Sequence, residues 1–297
     1  MISISIIIVT YNSEKEIVNC INSLLPQMLD LNGEIIIIDN NSIDSTIHLI
    51  KELEIKNISI IQNSDNLGYT IANNQGIKNA KGEHLFILNP DTLVPNGVIN
   101  NLLNKIQDDK NCGAIAPQLR FPDGRIQNSC RRFPRRRDIL YESIGLSKLF
   151  KISKEFNYWK MGDFDHKNTC MADQPAGAAL LIPKNIIEEI GLLDEQFPMF
   201  FSDVDICKRI WDAGYNVQYN TNSFITHKGG ASVYQKRIKM IVSSHLSFWK
   251  YFNKYNTKPV NYILNILVGI FLLALIPVRI ILNLLFPKLI KRERRSL

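Results

Sequence analysis

The sequence has no paired cysteines at metal-ligand spacing. Cys20, Cys112, Cys130, Cys170 and Cys207 stand far apart and are odd in number. That pattern suits neither a zinc site nor a disulfide framework, and it reads as free thiols in a reducing compartment. No internal repeat and no low-complexity tract appears, which excludes solenoids and a disordered chain. A signal peptide is not expected. The apolar start, Ile2 to Val9, is short and lacks both a basic flank and a small-residue cleavage site. Charge is missing altogether from the 20 residues Pro259 to Val278.

What is present is ordinary in bulk: 297 residues, 45% hydrophobic and 21% charged. This is enough for one large domain or two small ones. The net charge of +7 is unevenly distributed. Arg120 to Arg137 holds seven arginines against Asp123, and Lys288 to Leu297 holds five bases against Glu293, so the rest of the chain is slightly acidic. Such concentration suggests an anionic partner near the first cluster and a membrane surface near the second.

The first hundred residues alternate strand and helix. Ile4–Val9 is a continuous apolar, mostly β-branched run, as in a strand covered on both faces. Ser13 and Glu16 are spaced as a capping box. Further strands are expected at Glu34–Ile38, Ile58–Ile61 and Glu83–Leu88, with a helix over Tyr69–Ala80. The alternation implies a parallel α/β sheet, whose ligands bind at the carboxyl ends of the strands. Thr10-Tyr11-Asn12, Asp39-Asn40-Asn41, Asp65-Asn66 and Asn89-Pro90-Asp91 all fall at such ends. Arg120 to Asp173 reads as irregular. A strand is expected at Ala176–Ile182, a helix at Ser202–Ala213 capped by Ser202, short strands at Asn216–Tyr219 and Phe224–Thr226, and a long helix over Tyr234–Tyr255.

Seven segments in order, Ser5–Asn12, Ile38–Ser42, Asn66–Gly68, Leu88–Asp91, Gly177-Ala178, Phe201–Cys207 and His227–Gly230, resemble the family 2 glycosyltransferases of GT-A fold. The subgroup they look most like is the rhamnosyltransferase-like one of bacterial surface polysaccharide synthesis. The resemblance covers about residues 3 to 235. It implies an inverting transfer of a sugar from a nucleotide diphosphate donor, dTDP- or UDP-linked, to a hydroxyl of a lipid-linked or growing polysaccharide acceptor. Rhamnose on dTDP is the first choice. Such a displacement needs a cation at the departing diphosphate, a base for the incoming hydroxyl and a pocket for the nucleotide.

By resemblance Asp91 is the last acid of the family's DxD motif and a ligand of a divalent cation, Mn²⁺ or Mg²⁺. Asn89 stands where the first acid is usual, so one carboxylate is missing. Without the family context, Asn-Pro-Asp reads equally well as a turn. His227 matches a histidine that completes the metal site, and a shell containing His favours Mn²⁺. Asp203 matches the general base, with Ser202 in place of its usual acidic neighbour. An acid here also suits the helix dipole. Asp205 lies about 200° further round the helix and is assigned to acceptor support. Asp39 matches the acid that reads a pyrimidine base, beside Thr10, Tyr11, Asn12 and Asn41, with Asp65, Asn66 and Gly68 approaching the same nucleotide. Gly177 and Ala178 fall on the acceptor side.

The cluster Arg131 to Arg137 has three readings: a solvated face, a nucleic-acid surface, or a grip on an acceptor pyrophosphate or anionic lipid. The resemblance favours the third for Arg131 and Arg132, and no nucleic-acid module accompanies them. The uncharged C-terminal stretch is long enough to span a bilayer. It has basic flanks on both sides, Pro277 and Arg279 interrupt it, and Lys258, Asn261, Asn265, Gly269, Arg279 and Asn283 share about 80° of a helical wheel. This suggests a helix lying in the interface or a re-entrant hairpin, against a buried or homo-oligomer-forming helix. The expected organisation is a GT-A catalytic domain over 1–256, with a nucleotide-sugar half at 1–118 and an acceptor half at 119–256, then a membrane-associating segment at 257–297 on the cytoplasmic face. The competing classes are a nucleotidyltransferase and an inactive membrane-bound relative. Ile8–Ser13 has none of the Gly, Lys or Arg that a triphosphate loop needs.

Overall fold

The computed structural model describes residues 2–229 and 237–285. Its strands are β1 (Ile4–Thr10), β2 (Gly33–Asp39), β3 (Ile58–Gln62), β4 (His84–Leu88), β5 (Thr92–Leu93), β6 (Cys112–Arg120), β7 (Cys130–Arg131), β8 (Cys170–Met171), β9 (Gln174–Pro175), β10 (Ala179–Pro183) and β11 (Asn216–His227). The helices are α1 (Ile17–Met28), α2 (Thr46–Glu52), α3 (Tyr69–Asn79), α4 (Val98–Asp108), α5 (Arg136–Ser143), α6 (Leu146–Leu149), α7 (Lys184–Ile190), α8 (Ser202–Asp212), α9 (Arg237–Tyr255) and α10 (Pro259–Leu285).

Nine strands form one mixed sheet in the order β3-β2-β1-β4-β10-β6-β11-β5, with β8 joined to β11. The first four are mutually parallel, as the alternating pattern requires, and β10 runs antiparallel between β4 and β6. Every residue of β1 is buried because both sheet faces are covered. Ile4, Ile6 and Ile8 pack with Ile21 and Leu24 of α1 and Ile99 and Leu102 of α4. Ile7 and Val9 pack on the opposite face with Ala72 of α3 and Ile206 and Ile210 of α8. Thr10 pairs with Asp39, and Asp39 with Gln62, so the strand ends finish level. The strand order reverses between β1 and β4, where open α/β sheets hold their ligands.

Several local expectations are corrected. Ser13 and Glu16 do not form a capping box: α1 starts only at Ile17, and its Glu16 cap position has no side-chain hydrogen bond. Ser13 Oγ instead donates to the Tyr11 carbonyl, and Glu16 pairs with Lys228 at 2.6 Å. Ser202 is the first residue of α8 rather than its cap; the cap position is Phe201, in the left-handed region at φ 73°. The two short strands after Asn216 are one strand, β11, irregular between Asn220 and Phe224. The supposedly irregular middle contains α5 and α6, and the arginine run opens α5. Gly230, residues 234–236 and the basic tail from Lys288 lie outside the described residues.

α10 also differs from expectation. It runs unbroken through Pro277, so the hairpin reading fails. Proline in a helix removes one backbone bond, here the one to the Leu273 carbonyl, and Pro277 lies on the exposed side. The polar stripe faces protein. Asn265 is 2% exposed and its amide donates to the Phe252 and Asn256 carbonyls at 3.1 and 3.2 Å. Gly269 lies so close to Trp249 that a Cβ would meet its Nε1 at 2.6 Å. Asn261 and Asn265 thus find partners on α5 and at the end of α9, Leu272 is buried, and Ile263, Ile266, Ile270 and Leu273 are left exposed.

Candidate active site

The loop after β4 brings Asp91 against the end of β11. Asp91 Oδ2 accepts from the Gly229 N–H at 3.1 Å, and Oδ1 lies 3.4 Å from His227 Nε2. Burial would raise the Asp91 pKa, but the hydrogen bond and charge of His227, with the backbone N–H of Gly229, outweigh it and hold the carboxyl below its ordinary value. Gln127 fixes the imidazole: its amide donates to the His227 carbonyl at 2.5 Å, and its Oε1 faces Nδ1 at 2.9 Å. With Gln127 Oε1 facing Nδ1, the ring presents Nε2 to Asp91, and a proton on Nε2 or a cation between the two groups fills that contact. The donor set, one carboxylate and one imidazole held by a second residue, fits a divalent ion whose other ligands are phosphate oxygens. Among the described residues no group of three or more His, Cys, Asp and Glu gathers as a metal site.

Asn89 turns its backbone to the neighbouring strand, its N–H donating to the Ala178 carbonyl at 2.9 Å and its own carbonyl accepting from Thr92 Oγ1. The next residue back, Gly177, donates its N–H to Asp203 Oδ2 at 3.0 Å. A Cβ on Gly177 would sit 3.0 Å from that of Asp203, a close approach that a larger residue would push Asp203 out of. Asp203 Oδ1 accepts from the Val204 N–H at 2.9 Å. Burial raises the Asp203 pKa despite these two N–H groups. The left-handed Phe201 sets the direction in which α8 starts; it packs edge-on against Phe248, with centroids 4.6 Å apart. Strain of this kind at a helix start is found where a side chain must be aimed.

Tyr69 was missed by the sequence reading, which used it only as a helix start. Its hydroxyl donates to the Gly177 carbonyl at 3.0 Å, and burial, then Asp203, then Asp91 push its pKa up. The phenol thus feels both acids. Gln127 was missed as well: it belongs to no local motif and lies 100 residues from its partner.

The nucleotide-side residues meet at the ends of β1, β2 and β3. Asp39 is buried, and both its oxygens accept from Ser42, at 3.0 Å from the N–H and 2.5 Å from the hydroxyl. Asn12, at φ 51°, takes the Ser42 hydroxyl on its N–H and the Ile43 N–H on its Oδ1. Asn41, at φ 64°, is exposed between them, and Tyr11 is half-buried beside Asn12. Thr10 is fully buried with no partner for its hydroxyl among the described residues. Asp65 and Asn66 are exposed, and Asn66 Oδ1 accepts the Gly68 N–H. Gly68 sits at φ 89°, with Pro198 O only 3.0 Å from where a Cβ would be.

On the acceptor side the sequence assignments divide. Among the described residues the Arg131 guanidinium faces the Trp159 ring, 5.4 Å from its Cζ, and burial lowers its pKa against the pull of Glu142 and Asp203. Arg132 is occupied by a bidentate pair with Asp163 at 2.7 and 2.8 Å. Asp205 is 0% exposed and is not brought to the cleft. Its carboxylate takes Arg209 Nε at 2.9 Å, Lys254 Nζ at 2.5 Å and the Tyr255 hydroxyl at 2.6 Å.

Comparison with known proteins agrees with this architecture. A hexosyltransferase of low-salt glycan biosynthesis from Haloferax volcanii is 28% identical over 218 residues, which is 72% of this chain and 63% of that protein. The chain therefore spans less than two thirds of that relative. The N-acetylglucosaminyl-diphospho-decaprenol L-rhamnosyltransferase of Mycobacterium tuberculosis is 24% identical over 231 residues, 72% of each chain. A solved mannosyltransferase from Pyrobaculum calidifontis, in complex with GDP-mannose and Mn²⁺, superposes with a TM-score of 0.57 at 16% identity, over 91% of this chain and 69% of that one. Residues 5–166 match the model of glycosyl transferase family 2, and the chain belongs to that family.

Proposed function

We propose that the protein is a metal-dependent inverting glycosyltransferase that transfers a hexose, rhamnose from a dTDP donor in the first instance, to a hydroxyl of a lipid-linked or growing cell-surface glycan. A UDP-hexose donor is the second reading. The observation that carries the proposal is the pair of contacts that meet at the loop after β4: His227–Asp91 at the end of β11, and Asn89–Ala178 with Gly177–Asp203 before β10. This supports reading Asp91 and His227 as the pair that would bind a cation and Asp203 as the base beside it.

Asp39, Thr10, Tyr11, Asn12 and Asn41, at and after the ends of β1 and β2, would take the base and ribose, with Asp65, Asn66 and Gly68 after β3. Asp91 and His227 would hold the cation, which neutralises charge on the departing diphosphate when bound. Asp203 keeps one lone pair free on each oxygen and takes the proton of the acceptor hydroxyl, while its burial raises its basicity. Arg131, a cation without a carboxylate partner among the described residues, would meet the acceptor's phosphate; Arg132 is committed to Asp163. α10 would attach the chain to the cytoplasmic membrane face, lying in the interface. Its first half is docked along α9, so pulling it through a bilayer would carry Arg136 into hydrocarbon.

Release of nucleoside diphosphate from dTDP- and UDP-linked donors, with and without Mn²⁺ or Mg²⁺, tests the reading. Metal-stimulated release that Asp91→Ala removes more completely than Asn89→Ala is expected. Equal losses in the two variants, or release indifferent to chelation, would overturn the metal assignment. No release from any donor would overturn the activity.

A further inference from the structure

Four arginines of the Arg131–Arg137 run leave the strand or enter α5 within one turn of each other, and three have acids. Arg132 has Asp163, Arg135 has Asp138, and Glu155 is shared by Arg135 and Arg137. Arg136 has none. Its Nε and Nη2 donate to Asn265 Oδ1 at 3.0 and 2.7 Å, and its Nη1 to Asn261 Oδ1 at 3.2 Å. Burial is the one influence on its pKa, which it lowers. Partly buried cations ordinarily have an anion beside them. Here two amide carbonyls aim the guanidinium and use three of its five N–H groups, leaving two for an outside acceptor.

That guanidinium borders a groove of about 690 Å³ between α5 and α10. Arg136 and Arg137 stand on one side of it, with Leu264, Leu267, Val268 and Phe271 along α10 on the other. The apolar wall continues onto the exposed face of the helix, where Leu267 is itself exposed. A groove that is cationic at one rim and hydrocarbon-like along its length matches a molecule with the same division. We propose that it holds one anionic phospholipid, its phosphodiester on Arg136 and an acyl chain laid along α10. Guanidinium forks suit phosphate oxygens, and the apolar wall is what a free phosphate would leave unused. The inference rests on the reading of α10 as membrane-facing, and it adds a specific lipid site to that reading.

The test uses the full chain, extracted from membranes in mild detergent and examined by native mass spectrometry for co-purifying lipid, then reloaded with phosphatidylglycerol or phosphatidylcholine. One phosphatidylglycerol per chain is expected, retained at least tenfold better than phosphatidylcholine. Arg136→Gln should lower that retention about tenfold, Arg136→Lys should restore part of it, and nucleoside diphosphate release in detergent should stay unchanged in both. Leu267→Glu, which leaves the Arg136–Asn265 contact in place, should exclude the lipid independently, with thermal unfolding verifying the fold of each variant. Glutamine substitutions of the basic tail beyond Lys288 should leave the single bound lipid in place. Equal retention of phosphatidylcholine, full retention in both Arg136→Gln and Leu267→Glu, or stabilisation by millimolar inorganic phosphate equal to that by phosphatidylglycerol would overturn the proposal. Failure of the chain to float with neutral vesicles would overturn the membrane reading instead.

Discussion

β1 and α10 are both predominantly apolar, and the fold treats them oppositely. Every residue of β1 is buried, Ile6, Ile7 and Ile8 to 0% exposure, while Ile263 and Ile270 of α10 are 67% and 60% exposed. Hydrophobicity alone does not decide which run becomes interior. β1 has helices on both sheet faces, so its side chains alternate into two cores. α10 uses its few polar residues to dock and turns its leucines and isoleucines outward. An exposed apolar surface of that extent implies a partner outside the chain.

The comparison extends to the sites at each end. If the proposed function holds, the strand ends carry the chemistry and the helix the attachment, so changes in one region should leave the other's readout intact. The largest effect is expected at the strand ends: Asp203→Asn should lower turnover about 10³-fold, within the range for a lost general base, with vesicle flotation unchanged. Because burial raises the Asp203 pKa, kcat/KM should fall on acidification through a pH above the ordinary aspartate value, and this limb should vanish in the variant. The sign for stability runs the other way. A raised carboxyl pKa favours the fold when protonated, so that contribution is present below the ordinary aspartate pKa and is lost as pH rises through the raised one.

Next comes a matched pair. Ile7→Ala should cost about 2–5 kcal/mol in chemical denaturation, whereas Ile263→Ala should change stability by no more than about 0.5 kcal/mol. Similar costs would mean that α10 is a core helix. The triple change Ile263→Ser, Ile266→Ser and Ile270→Ser should reduce vesicle partitioning about 100-fold, from roughly 1 kcal/mol per half-exposed side chain, and leave diphosphate release in detergent unaltered. The smallest effect is at Tyr69. Removing its hydroxyl in Tyr69→Phe loses one hydrogen bond to Gly177, worth about 1 kcal/mol, and should reduce kcat about fivefold without moving the donor KM.

Much of the α/β half was legible because its signals are local. The run Ile4–Val9, the polar clusters at strand ends and the glycine at position 68 each state their own conformation. The strand β10 was placed within three residues, but nothing local gave its antiparallel insertion between β4 and β6. What failed to show were groups defined by long-range contacts. Arg131 and Arg132 are adjacent and alike in sequence; only Asp163, 31 residues on, separates their roles. Asp205 carries the same charge as Asp203, and its fate is set by Lys254 and Tyr255, 49 and 50 residues away. The polar stripe of α10 was correctly identified as a stripe. Its facing direction depended on Arg136, which periodicity cannot reveal.

The Asp205 carboxylate has a consequence beyond its own burial. It ties α8, which bears Asp203, to Lys254 and Tyr255 near the end of α9, immediately before α10 begins. On the proposed function, a helix resting on a lipid surface would be coupled to the reacting carboxylate through one short strut. The strut would then hold the tilt of the cleft relative to that surface, so that a surface-bound substrate meets Asp203 from one direction and at a constant height. Attachment would then raise the local concentration of acceptor and also sort acceptors by how far their hydroxyls stand above the bilayer.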